Sequence, residues 1–242
     1  MGILEIITLR ELKFGWEDLA AASRKSGRRA AEADISAAAR RAYDEGRALL
    51  DLRAVYEIYG KEEIAEGCQS LSLRCGDRRE NLFIGPRIGY LFPAHEVVIA
   101  LCTAGDALVQ AMKSSAERED YLMMYFLDSF GVRALAEMSA HLRAEVEGIA
   151  AAKGWGVGPS MQPGSVEGWS VRGQADLYRL GHGEALGLTL NDASFLLPHI
   201  SNSALIGIGP HYKETKVGSM CHECPRHDSC LWRRENMANG EF

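Results

Sequence analysis

The chain has 242 residues, is 47% hydrophobic and 25% charged, and carries a formal net charge of −6 with an isoelectric point near 5.7. This length can form one large core, and the acidic balance argues against nucleic acid or an anionic membrane as the main partner. Apolar runs are far shorter than the ~20 residues that cross a bilayer, and no secretory signal pattern begins the sequence. We therefore expect a cytoplasmic protein.

Two helices are predicted over residues 18–52, where alanine, arginine and glutamate dominate and apolar residues recur at helical spacing. A break is expected near Gly27 or near Asp34, and Asp34 or Ser36 would cap the second helix. The sequence therefore predicts an N-terminal helical segment, 1–52, that packs on the body of the protein.

Short alternating segments after residue 53 predict β-strands, and one continuous apolar run predicts a central buried strand. The strand candidates are 54–60, 71–75, 82–85, 88–91, the central run 96–103, 187–190 and 203–209. The expected class is α+β, a twisted, mostly antiparallel sheet with packed helices, and we assign it residues 53–212.

Helices are predicted between and after these strands. One begins at Asp106, a second covers 117–130, a third covers 132–153, and a fourth covers 172–181. Glycine and proline from Trp155 onward end the third helix. A loop over 159–169 should then lead into the fourth.

The sharpest chemical signal is a run of cysteines near the C-terminus. Cys221 and Cys224 have the spacing with which one turn of chain presents two thiolates to one ion, and Cys230 follows. In a reducing cytosol, clustered thiols indicate metal or redox chemistry. The run predicts an iron–sulfur cluster or a zinc ion in a tail of residues 213–242; unligated thiols are the remaining alternative. Candidates for a fourth ligand are Cys75, Cys68, Cys102, His222 and His227.

Two weaker signals indicate a ligand site. Pro163-Gly164-Ser165 lies in the predicted loop, where glycine lets backbone approach a ligand closely, although an ordinary connection fits as well. Asp128 and Glu137 lie on predicted helices, and His141 follows Glu137 by four residues. This spacing places Glu137 and His141 on one face, as a surface pair or with the carboxylate facing a ligand.

Five short motifs occur in a fixed order between residues 85 and 210. They are Ala100–Gly105 (a "TxG" turn), Leu127–Gly131 through Glu137 ("D-x-x-G…AE"), Pro163-Gly164-Ser165 (Pro-Gly-Tyr), 186–198 ("IGxxLTES…P") and 203–209 ("SVSGxxG"). In this order they resemble the S-adenosylmethionine-binding activation domain of vitamin B12-dependent methionine synthase, especially stand-alone proteins built on that domain. Short relatives of this kind also tend to end in a cysteine cluster.

The resemblance implies reactivation of a corrinoid protein. One electron and a methyl group from S-adenosylmethionine restore a cobalamin that has been oxidised to Co(II); the cofactor carries the chemistry, and the domain binds and orients. A stand-alone copy would meet a corrinoid-binding protein in trans, and its C-terminal cluster would deliver the electron. The ligand-binding residues that the resemblance implies are Asp128, Glu137, Ser160, Pro163, Gly164 and Ser165.

One departure from the family pattern affects the ligand. Ser160 and Ser165 stand where the family has the arginine and tyrosine of Arg-x-x-Pro-Gly-Tyr. A serine cannot form the two-pronged contact that arginine makes with a carboxylate. The scaffold therefore holds either S-adenosylmethionine or a changed ligand. A zinc-stabilised, non-enzymatic binding module and a small-molecule sensor are the alternative functions.

Overall fold

The computed structural model describes residues 6–24, 32–64, 67–76, 78–221 and 224. The strands within these ranges are β1 (Ile6–Thr8), β2 (Arg53–Lys61), β3 (Ser70–Cys75), β4 (Arg78–Phe83), β5 (Glu96–Thr103), β6 (Gly156–Met161), β7 (Thr189–Leu190), β8 (Leu196–Leu197) and β9 (Ser201–Gly209). The α-helices are α1 (Trp16–Arg24), α2 (Glu32–Leu49), α3 (Asp106–Glu117), α4 (Tyr121–Ala152) and α5 (Gln174–Leu180).

Seven strands form one antiparallel sheet in the order β4-β3-β2-β5-β9-β6, and β1 pairs with the first part of β2. Strand β5 pairs with β2 on one side and β9 on the other along its whole length. Its apolar run is continuous because helices and loops cover both faces of the sheet there, so every residue from Val97 to Thr103 is buried. The predicted α+β class and the predicted central strand are confirmed.

Helix α4 is continuous over 32 residues, so the predicted break between 130 and 132 is wrong. Asp120 caps its start, because Oδ1 accepts the backbone N–H of Met123 at 3.1 Å. Gly131 does not interrupt the helix: a Cβ there would lie 2.7 Å from Leu108 Cδ2 and would also overlap Ile200. The glycine thus allows α3 and the chain before β9 to pack closely against α4. No helix in the described ranges is both long and apolar enough to cross a membrane.

Two further local predictions, one at the start of α2 and one after β4, differ from the structure. Helix α2 already begins at Glu32, so Asp34 and Ser36 lie inside it and do not cap it, whereas Gly27 lies outside the described residues. The candidate strand at 88–91 is part of a 3₁₀ helix, Pro86–Leu91. Proline at the first position of that helix fixes a helical φ, which explains the outcome.

The start of the predicted loop over 159–169 is instead part of strand β6. Pairing of Val157 with Ile208 and of Met161 with Leu205 holds this segment against β9, although it contains two glycines and a proline. The pairing register shifts between Val157 and Ser160, and Pro159 lies within that irregularity. A proline can be accommodated there because a bulge leaves one residue without a ladder hydrogen bond.

The chain that leads to the cysteine run is attached to the outer edge of β6. The N–H groups of Val157 and Ser160 donate to the carbonyl oxygens of Glu214 and Gly218, at 2.8 and 3.0 Å. Ser160 and Ser219 form a parallel bridge, and the side chains of Val217 and Met220 are buried against the body.

Substitution of Gly156 by alanine is expected to destabilise this attachment. The new Cβ would lie 2.7 Å from the carbonyl oxygen of Glu214 and would overlap that of Tyr212, so backbone must shift. We expect a loss of about 1–3 kcal/mol in the free energy of unfolding, measured by urea denaturation. Gly148→Ala is the matched control, because nothing lies within 4 Å of its Cβ position in α4. This control should gain about 0.5–1 kcal/mol, and equal stability of the two variants would contradict the attachment.

Candidate ligand cleft and cysteine turn

A cleft of about 420 Å³ lies between the loop after β6 and the β7–β8 hairpin. Residues 201–203 of β9 line its wall, Pro163 contributes from the loop, and Gln174 contributes from the first turn of α5. The volume falls within the range of small-molecule sites, which are typically concave and mostly apolar with a few placed polar groups.

The hairpin holds an aromatic ring at the mouth of the cleft. Asn191 Oδ1 accepts the N–H groups of Ala193 and Phe195, at 3.0 and 2.9 Å, and the Asn191 N–H donates to the Phe195 carbonyl oxygen at 3.1 Å. Ser194 between them has φ of 64°, in the left-handed region that is unfavourable for residues other than glycine. This turn leaves Phe195 57% exposed while it lines the cleft.

A buried amide lines the opposite wall. Gln174 is 8% exposed, and its Oε1 accepts the Ser203 hydroxyl at 2.9 Å. Its Nε2 is buried and has no hydrogen-bond partner among the described residues. An unpaired buried donor costs roughly 1–3 kcal/mol, so a group that accepts from Gln174 would be favoured here.

Hydrogen bonds fix the remaining polar groups of the wall. The Ser201 hydroxyl donates to the carbonyl oxygen of Pro198 at 2.7 Å, and its Oγ lies 2.9 Å from Thr103 Oγ1. Asn202 donates from Nδ2 to Ser139 Oγ on α4 at 2.9 Å. Two successive residues of β9 are thus held from opposite faces of the sheet: Asn202 by α4 and Ser203 by α5.

His199 is the ionisable side chain among the described residues that line the cleft, and it also lines an adjoining pocket of about 270 Å³. His199 Nε2 lies 3.9 Å from Asp128 Oδ1. Burial raises the pKa of Asp128, and His199 opposes that shift without cancelling it. The described residues that line the larger cleft include no lysine, arginine, aspartate or glutamate.

The raised pKa of Asp128 predicts a pH-dependent effect of Asp128→Asn. Folding disfavours the ionised carboxyl, so this group destabilises the native state at neutral pH and ceases to do so as pH falls through its raised pKa. Asp128→Asn should therefore raise the melting temperature slightly at pH 7, since the carboxyl is partly exposed, and should leave it unchanged at a pH below 3.8. A gain that grows toward acid pH would contradict this expectation.

The residues that the resemblance suggested are not gathered around one cavity. Pro163 lines the cleft, and Asp128 approaches it through His199. Glu137 instead accepts the backbone N–H of Lys13 with both carboxylate oxygens, each at 2.9 Å. It therefore ties the N-terminal segment to α4.

The other three suggested residues lie in or beside β6 and use their backbone. Ser160 bonds to the attached segment at Gly218. Gly164 has φ of 77° and donates its N–H to the Trp169 carbonyl oxygen at 2.8 Å, and Ser165 donates to Gln162. The positive φ explains the glycine. Direct ligand contact by these residues stays a prediction.

Sequence reasoning missed Gln174, Phe195 and Ser203. A turn signal was present in the Asn191-Asp192 pair before Phe195. The convergence of these residues depends on the position of β9 beside β5, which no local pattern encodes.

The described part of the cysteine run forms a turn. The Cys224 N–H donates to the Cys221 carbonyl oxygen at 3.2 Å, and both residues are half-buried. Two thiols therefore project from one turn directly after the buried Met220, which suits a shared ion.

The remaining proposed ligands are not placed. Cys230, His222 and His227 lie outside the described residues, and Cys75 ends β3 with a side chain that is also outside them. Within the ranges that the structure describes, no three His, Cys, Asp or Glu side chains form a metal-binding group. The cluster with Cys221, Cys224, Cys230 and Cys75 stays a prediction.

Cys102 is a poor candidate for the fourth ligand. It is buried between β5 and α4, and burial raises the pKa of its thiol to about 12, against the smaller opposing effects of Ser139 and Arg143. Metal ligation requires the thiolate, which this environment disfavours.

Alkylation should distinguish the cysteines of the body. Iodoacetamide is expected to modify the exposed Cys68 in the native protein and to modify Cys102 only after unfolding. Mass spectrometry of peptides after native and denaturing labelling measures this difference. Native labelling of Cys102 at a rate similar to Cys68 would contradict the burial.

No protein family matches the sequence, and no curated protein matches it. The fold is similar to that of the MetH reactivation domain in its crystal structure bound to AdoHcy, with a TM-score of 0.60 and 11% sequence identity. The match covers 87% of this chain and 79% of that one. The chain therefore has the fold of the methionine synthase activation domain, and the resemblance predicted from the sequence is confirmed at the level of fold.

Proposed function

We propose that this chain reactivates a corrinoid-binding protein in trans. The observation that supports the proposal is the likeness of its fold, over 87% of the chain, to the MetH reactivation domain, a structure determined with AdoHcy bound. A small-molecule cleft opens in the same fold here, beside the loop that carries Pro163. An S-adenosyl compound is the ligand that we propose for it.

The proposed reaction needs two inputs. Co(II) on the partner's corrinoid gains one electron and becomes Co(I). Co(I) then takes the methyl group of S-adenosylmethionine, and S-adenosylhomocysteine is released. The cofactor carries this chemistry, and the chain has to bind the methyl donor and present it.

The position of the cysteine turn favours a role in electron delivery. Ser160 and Ser219 are bridged in parallel, and Gln162 in the cleft and Cys221 each follow that bridge by two residues. At the bridge itself, the two backbones have the spacing of paired strands, about 4.8 Å. Met161 and Met220 also belong to one buried cluster. A redox centre held by Cys221 and Cys224 would thus begin beside the cleft.

We propose an iron–sulfur cluster in the tail of residues 213–242, held by Cys221, Cys224 and Cys230, with Cys75 as the fourth ligand. The turn at Cys221 fits such a group, because two thiols leave one turn of chain. The cluster would supply single electrons. Its thiolates require a reducing compartment, so we place the protein in the cytoplasm.

The test of this function uses anaerobically purified protein. With a Co(II) corrinoid protein, a chemical reductant and S-adenosylmethionine, the Co(II) absorption should give way to that of the methylated corrinoid. Iron and sulfide in stoichiometric amounts should accompany this activity. Stoichiometric zinc, with no spectral change for any corrinoid protein supplied, would favour the zinc-stabilised binding module instead.

A further inference from the structure

We infer that the cleft recognises the nucleoside part of its ligand through uncharged groups, and that the described residues of its wall offer no lysine or arginine to a carboxylate. Adenosine should therefore bind nearly as tightly as S-adenosylhomocysteine. The choice of an adenosine compound rests on the proposed function, whereas the statement on the carboxylate rests on the described side chains that line the cleft.

The first argument is charge. A carboxylate removed from water needs a cation or several donors, and the described lining of the larger cleft includes no lysine or arginine. His199 is its titratable group, and the carboxyl of Asp128 lies 3.9 Å from it. Lys113 lines the adjoining pocket, beyond Leu197 and His199 and next to Asp106.

The second argument is the pairing of an aromatic face with amide edges. Phe195 is 57% exposed at the mouth, in a loop held by Asn191. Stacking of a base on an aromatic side chain contributes binding free energy whichever base it is, because every base has a π-face. Glutamine amides can match the donor and acceptor edge of adenine, and the cleft presents Gln162 and Gln174.

The third argument is the incomplete hydrogen bonding of Gln174. Its Nε2 is buried without a partner in the described structure, although the Ser203 hydroxyl occupies its Oε1. Buried amides in native proteins are normally satisfied on both sides. An acceptor on the ligand, or a small movement of the wall that brings one within reach, would complete this amide. We therefore assign Gln174 and Phe195 as the residues that determine ligand choice.

Isothermal titration of the full anaerobic chain with adenosine and with S-adenosylhomocysteine tests the inference. We expect dissociation constants within about threefold of each other, because the homocysteine part adds no charged contact. Phe195→Ala should weaken both ligands about tenfold or more through loss of stacking. Phe92→Ala is the matched control, since Phe92 is 55% exposed and lies outside the cleft lining. This control should leave both affinities unchanged.

Gln174→Met provides a second variant, which should weaken the binding of both ligands. Because Gln174 is buried, this variant could also fold poorly; Phe195 is exposed, so Phe195→Ala tests the same cleft without that risk. S-adenosylhomocysteine that binds about 30-fold or more tightly than adenosine would overturn the inference and leave the proposed function standing. Absence of adenosine binding, or equal effects of Phe195→Ala and Phe92→Ala, would also overturn it. Corrinoid reactivation is measured separately, so the two failures are distinguishable.

Discussion

Replacement of Cys221, Cys224 and Cys230 together by serine is expected to remove the bound metal and to reduce corrinoid reactivation to the background rate. Serine oxygen is a much weaker ligand than thiolate for iron–sulfur clusters and for zinc. Elemental analysis for iron, sulfide and zinc measures the first effect, and the Co(II) spectrum of the partner measures the second. The body should stay folded, because Val217 and Met220 anchor the tail before the first cysteine.

Because Cys75 is the proposed fourth ligand, Cys68→Ser is the matched control for this triple variant. Cys68 is exposed, and its Sγ lies 3.3 Å from the Ser70 carbonyl oxygen in its own loop. Metal content and activity should be those of the unchanged chain. Full function in the triple variant would contradict electron delivery by the tail and would favour the small-molecule sensor.

Phe130→Ala should cost about 3–5 kcal/mol in the free energy of unfolding, a large share of the ~5–15 kcal/mol typical of a domain. The Phe130 ring on α4 is fully buried and lies 5.5 Å from the Phe14 ring and 5.7 Å from the Tyr43 ring, centroid to centroid. Its Cδ1 also packs against the backbone of Gly46 on α2, at a position where a Cβ would lie only 2.5 Å away. The cavity would open at the point where the N-terminal helices meet the body.

Urea denaturation measures this loss, and Tyr121→Ala on the same helix is its control. Tyr121 is exposed at the start of α4, so its truncation should change stability by no more than about 0.5 kcal/mol. A loss of less than about 1 kcal/mol for Phe130→Ala would mean that residues 1–52 do not share the core of α4. A single cooperative transition is expected for both variants.

Local pattern was sufficient where it reflects burial directly. The run from Glu96 to Thr103 predicted the central strand because a strand covered on both faces needs apolar residues on both. Helix 172–181 and the strand at 203–209 were placed within a few residues of α5 and β9. These elements carry the cleft wall, so its backbone could be anticipated.

Local pattern failed where a neighbouring element decides the conformation. Gly131 looked like a helix break, yet it is the contact point for Leu108 and Ile200 inside one long helix. Residues 159–161 were predicted as the start of a loop, yet pairing with β9 makes them part of strand β6. The free energy of these contacts exceeds the intrinsic preference of glycine and proline, which is a weak guide in tertiary structure.

The site was less predictable than the fold for the same reason. Glu137 was placed correctly on its helix, but its rotational position directs it to the backbone of Lys13. Gln174 and Phe195 meet only because α5 and the β7–β8 hairpin flank the start of β9. Family motifs show where the segments of a site lie along the chain. The side chains that select the ligand vary between proteins that share these motifs, so the motifs do not identify them.

A single-turnover experiment tests electron delivery to a corrinoid most directly. The anaerobic chain is reduced, freed of reductant, and mixed with one equivalent of a Co(II) corrinoid protein and S-adenosylmethionine. Electron paramagnetic resonance should show the Co(II) signal disappear as methylated corrinoid and S-adenosylhomocysteine form in equal amounts, and the triple serine variant should leave the signal unchanged. A persistent Co(II) signal with the reduced, metal-replete chain would contradict the proposed function.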